Sequence, residues 1–111
     1  MRLGVTNPEI YRMQVEAICE AKRLVEPEVK VNAAVMIPQV ITVQELLWVK
    51  RQVKAAGLKI GVMMETVRAC MRAGKLAHEA DFFSFGTNDL TQAVYSFSRE
   101  DAEKKFLATY L

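Results

Sequence analysis

The sequence predicts an α/β fold, a parallel sheet with crossover helices, on three observations. Short apolar runs alternate with longer segments whose apolar residues recur every three or four positions, the pattern of strands joined by helices. The two complete middle units take about 24 to 30 residues from strand end to strand end, close to the strand–helix unit of an eight-stranded barrel. Each apolar run is closed at its C-terminal end by polar or turn-forming residues, and in parallel α/β folds those ends share one face.

Taken in order, Arg2-Leu3-Gly4-Val5 reads as the end of a first strand. Asn7 offers a helix N-cap, with Pro8 at the first helical position, where no needed hydrogen bond is lost. Ile10, Met13, Ala17, Ala21 and Leu24 then fall on one helix face, and Pro27 helps to end that helix. The valine-rich run 29–37 is a second strand, closed by Pro38. Thr42 and Glu45 match a capping box, in which hydroxyl and carboxylate satisfy each other's exposed amides. Leu46, Val49, Val53 and Ala56 continue the helical period, and Gly57 stands where a left-handed C-terminal residue is wanted. Residues 58–64 form the third run, with Glu65 at its end. Residues 67–80 read as a helix with Met71 and Leu76 on the buried side. Residues 82–85 are the fourth run, and a further helix starts near Leu90. The tail, 98–111, has some helix. The resulting order is β-α-β-α-β-α-β-α.

The totals narrow the function. At 111 residues the chain is one small domain, 1–111, with no internal linker or boundary. The formal charge is +2 and the basic residues are scattered, which argues against nucleic acid as a partner. No apolar run reaches the roughly 20 residues of a membrane helix, and the first residues lack a secretory pattern. Cys19 and Cys70 are isolated in helix-like segments and fit reduced, intracellular thiols. An intracellular location follows as the expectation, cytoplasmic before organellar.

The chemistry is expected where the strands end. There the sequence offers Arg2, Pro38-Gln39, Glu65 and Thr87-Asn88-Asp89. Glu65 and Asp89 close consecutive strands, and neighbouring strands lie about 4.8 Å apart. Two carboxylates brought that close repel unless a cation sits between them. Magnesium takes one or two carboxylates and fills its other positions with water and substrate oxygens. Gly86 permits close backbone approach to a ligand. The amides of Thr87, Asn88 and Asp89, opening a helix, make an anion cradle. Spacing alone leaves a plainer reading open, in which Asn88 and Asp89 cap a helix and Glu65 is solvated.

Five segments also resemble a known family. The segment SFGTNDLTQ, residues 84–92, resembles the signature of the phosphoenolpyruvate-utilising enzymes. MIPQVITVQEL (36–46) is similar to the family's preceding strand–helix segment, and GVMMET (61–66) to the strand carrying its metal-binding glutamate. RLGVTNPEIYRMQVEAI (2–18) and SFSREDAEKKFLATYL (96–111) resemble the dikinase members most. The resemblance implies about the second half, without its last strand, of a (β/α)8 TIM barrel that binds phosphoenolpyruvate or pyruvate. It implies that Glu65 and Asp89 hold magnesium at the substrate pocket. It gives Gly86, Thr87, Asn88 and Asp89 contacts to the substrate's phosphate and carboxylate, and Arg2 a phosphate contact. The implied chemistry is phosphoryl transfer between a phosphohistidine and the enolate of pyruvate. The phosphohistidine domain and an ATP-binding domain of the parent enzyme would be its partners.

The sequence departs from the family in two places. The proline usual two residues after the metal glutamate is Val67 here, and the segment between Glu45 and Gly61 is short. The family's acid/base cysteine belongs to a Cys-Gly-x-His-type motif absent from this sequence. Neither Cys19 nor Cys70 inherits that role, so the chain alone is expected to be inactive. His78 lies in a helical KLAHEA segment and reads as a surface or half-buried structural residue, and Arg68 as keeping a structural or rim role rather than a catalytic one. Two other classes stand beside this reading. One is a non-catalytic assembly module that completes a barrel with a partner or self-associates through open sheet edges. The other is a small lyase with a similar magnesium–enolate site.

Overall fold

A computed structural model describes residues 1–53 and 57–111. Two helices come first, α1 (Arg2–Thr6) and α2 (Pro8–Val25). Then follow β1 (Ala34–Ile37), α3 (Val43–Val53), β2 (Lys59–Met64), α4 (Val67–Met71), α5 (Ala73–Ala77) and β3 (Phe83–Phe85). The chain closes with α6 (Thr87–Tyr95), α7 (Arg99–Lys105) and α8 (Leu107–Tyr110). No described helix is long and apolar enough to cross a membrane.

The three strands pair in parallel in the order β1-β2-β3, so the α/β class and the parallel sheet stand. Ile37 lies beside Val62, and Met64 beside Phe85. The central strand β2 is buried on both faces at Ile60, Gly61, Val62 and Met64, as parallel strands covered on both sides are. Val62 and Met64 share the core with Leu46 and Val49 of α3, Val40 after β1, and Leu76 of α5.

The segment expected to end a first strand is helical. With no strand paired to it among the described residues, the short run 2–6 satisfies its backbone locally. The Asn7 N–H donates to the Leu3 carbonyl at 2.8 Å, and the Thr6 hydroxyl donates to the same carbonyl at 3.1 Å. The Tyr11 ring takes the space a side chain at Gly4 would fill, and its burial raises the phenol's pKa. Pro8 does open α2, but the Asn7 side chain turns back to the Leu3 carbonyl instead of capping that helix.

α2 also buries a different stripe from the one expected. Tyr11, Val15 and Cys19 pack on the core, while Met13 and Leu24 stay 62% and 75% exposed. The second strand is shorter than its apolar run, because Val29 is still held by the Val25 carbonyl in the turn after α2. The predicted helix 67–80 is two helices with a break at Arg72, whose φ of −113° leaves the helical range. The break turns Leu76 fully into the core and leaves Met71 82% exposed.

Two other local signals were obeyed. Glu45 Oε2 accepts from the Thr42 N–H at 2.9 Å, and Thr42 Oγ1 accepts from the Glu45 N–H at 3.2 Å, the reciprocal capping box. Gly57 takes the left-handed conformation, φ 65°. Ala56 lies outside the described residues.

Candidate active site at the strand ends

The site is built from three chain reversals at the C-terminal ends of β1, β2 and β3. After β1 the chain turns sharply at Gln39, whose φ of 53° is in the left-handed region. After β2, Glu65 is buried to 8% exposure, and Thr66 caps α4 by accepting the Ala69 N–H at 3.1 Å. After β3, Gly86 is the N-cap of α6, which places Asp89 in that helix's first turn, where the helix dipole favours an acid.

Hydrogen bonds join these turns. The Thr66 hydroxyl donates to the Val40 carbonyl at 2.9 Å, tying the end of β2 to the turn after β1. The Gln39 backbone N–H donates to Glu65 Oε1 at 2.6 Å, and the Gln39 side-chain amide donates to Asp89 Oδ2 at 3.0 Å. One residue therefore spans both carboxylates. Gly86 closes the back of Glu65: a Cβ built on it would lie 2.6 Å from Glu65 Cβ and Oε2. The missing side chain makes room for the glutamate itself.

Glu65 and Asp89 line one open cleft of about 670 Å³, together with Gln39, Thr66, Gln92 and Ser96. Among the described residues neither acid has a salt-bridge partner, and no three His, Cys, Asp or Glu side chains gather as a metal cage. Glu65 and Asp89 are the two acids that line the cleft, and paired carboxylates are the donor type that hard divalent ions take.

The other residues singled out from the sequence fall nearby or elsewhere. Thr87 and Asn88 are exposed in the first turn of α6, and Asn88 Oδ1 accepts from Arg99 Nη1 at 2.9 Å. Arg2 is exposed on α1 and is not part of the cleft lining. His78 is exposed at the end of α5. Cys19 and Cys70 are half-buried against the core, away from the cleft lining.

The profile of the family described as PEP-utilising enzyme, PEP-binding domain, matches residues 1–110. The chain belongs to this family of phosphoenolpyruvate-binding domains. Its relatives include the pyruvate, phosphate dikinase of Entamoeba histolytica, 46% identical over an alignment covering 100% of this chain. The enzyme of Clostridium symbiosum with that name is 43% identical over 98% of the chain. The chloroplastic dikinase 1 of Oryza sativa subsp. japonica is 42% identical over 99%. The chain spans only 13 to 14% of the length of these relatives. In this member of the family the cleft lies where the strands end, and Glu65 and Asp89 both line it. The sequence pointed to both acids but treated Gln39 only as a polar residue closing a strand. Glutamine carries no local signal for a left-handed turn, so its bridging role was hidden.

Proposed function

We propose that this chain is the part of a pyruvate, phosphate dikinase that binds phosphoenolpyruvate or pyruvate with magnesium, within a partial (β/α)8 barrel. The observation that carries the reading is the pair Glu65 and Asp89, held on one cleft by Gln39. The parallel order β1-β2-β3, each strand beside its successor, supports the barrel arrangement.

In this reading Glu65 and Asp89 hold the cation. Bound there, magnesium supplies Lewis-acid stabilisation of negative charge on a substrate oxygen. The chain's own residues do the rest. Gly86 lets Glu65 sit against the turn after β3. The first-turn amides of α6 at Thr87, Asn88 and Asp89 offer positive dipole ends to the substrate's anionic groups. Arg2 is assigned a phosphate contact by family likeness alone. The phosphoryl group would come from a phosphohistidine on another domain of the parent enzyme, which an ATP-binding domain charges. Because the Cys-Gly-x-His-type motif is absent from the sequence, the chain by itself is expected to bind without turning over.

The test is a calorimetric titration of manganese, a spectroscopically useful stand-in for magnesium, in the presence of oxalate, a mimic of the pyruvate enolate. Wild type should bind, and Asp89→Ala should lose at least tenfold in affinity. Equal binding by the two proteins would remove Asp89 from the site.

A further inference from the structure

We infer that Gln39 is a positioning residue that sets the separation and orientation of the two cation-holding carboxylates; this rests on the reading of the cleft just given. Gln39 has φ 53°, a conformation that side chains other than glycine, asparagine and aspartate rarely take. Such strain persists where the surroundings over-determine it, and it gathers at functional sites. Here the turn is fastened on its C-terminal side. The Ile41 N–H donates to Glu45 Oε2 at 2.7 Å, the Val40 carbonyl accepts from the Thr66 hydroxyl, and the Val40 side chain is fully buried.

The left-handed turn has a specific result. It aims the backbone N–H at Glu65 Oε1 while the side-chain amide reaches Asp89 Oδ2. Glu65 follows a buried strand, whereas Asp89 rides on α6, a helix with no buried residue. Gln39 is the described residue whose polar groups touch both. Each carboxylate accepts one hydrogen bond from it, Glu65 through Oε1 and Asp89 through Oδ2. A turn that served only to reverse the chain would be met better by glycine, and the glutamine side chain would be dispensable.

The experiment uses the 111-residue chain, with Gln39→Gly and Gln39→Leu. Thermal unfolding gives the melting temperature, and manganese titration with oxalate gives the affinity. Gln39→Gly relieves the backbone and removes the amide. Its melting temperature should rise by a few degrees while affinity falls about tenfold, the usual loss for an outer partner of a metal ligand. Gln39→Leu keeps the strain and the bulk without the donor, so affinity should fall similarly with no gain in melting temperature. A Gln39→Gly protein that binds as wild type does overturns the inference. So does one whose stability and affinity fall together, because that is the mark of a merely structural turn. Failure of wild type itself to bind manganese and oxalate is a different result. It overturns the reading of the cleft, and the inference with it.

Discussion

Gly86 shows how much depends on a single missing methyl group. A side chain there would meet Glu65 at both Cβ and Oε2. The obstacle is the base of the glutamate side chain as well as its mobile end, so one of the two turns must move. We expect Gly86→Ala to destabilise the chain by about 1–3 kcal/mol, the range for overpacking. Urea denaturation measures that loss. Manganese binding should weaken alongside it, because the displaced group is the proposed ligand. Unchanged stability would mean that the two strand ends tolerate separation. At this scale the acids were legible in the sequence, since a charged residue closing an apolar run is conspicuous. What their neighbours do was not. Gly86 reads as an opening toward a ligand, yet it is filled from behind by Glu65. Gln39 gives no sign of its backbone conformation, which is imposed by residues around it.

Among the elements, legibility followed the range of the interactions. The start of α3 was readable because its capping box closes within four residues. The same carboxylate also holds the Ile41 N–H, so Glu45 fastens both the helix and the turn that carries Gln39. Glu45→Ala should therefore cost about 0.5–2 kcal/mol, as other lost caps do, read as a lower urea midpoint with an unchanged slope. A change below that range would show that the turn is held from elsewhere. Elements whose state depends on distant partners were misread. Residues 2–5 have strand-like composition, but an apolar run becomes a strand only beside another, and here it coils onto α2 instead. Met71 and Leu76 share a helical period only if the helix is unbroken; the break at Arg72 puts them in different surroundings. α2 is amphipathic by sequence, yet only the Tyr11, Val15 and Cys19 stripe finds the core.

The whole molecule is more extended than its length requires. Its radius of gyration is 17.2 Å, against about 13 Å for a compact domain of this size. Its accessible surface is 7866 Å², where a folded monomer of this mass exposes ~6,200 Å². Part of the excess is apolar, including Leu24, Phe85 and Leu111 at 75%, 67% and 93% exposure. Among the described residues β1 and β3 each have one unpaired edge, and such edges recruit partners. The mass measured by light scattering should therefore rise with concentration across the micromolar range. A constant monomer mass over that range would show that these surfaces are tolerated in water. The parallel sheet itself was legible from alternation, but the count of strands was not, because composition alone cannot say whether an apolar run has a neighbour.

The cleft joins parts of the chain that are anchored to very different degrees. Glu65 emerges from the most deeply embedded strand, while Asp89 belongs to a helix that follows a three-residue strand and sinks no side chain into the interior. Local opening is cheapest in such lightly moored segments. A guest gripped by both acids would act as a rivet, and its grip would be diluted by the fraction of time the outer layer spends undocked. Capturing the guest and consolidating the last quarter of the chain would then be a single event.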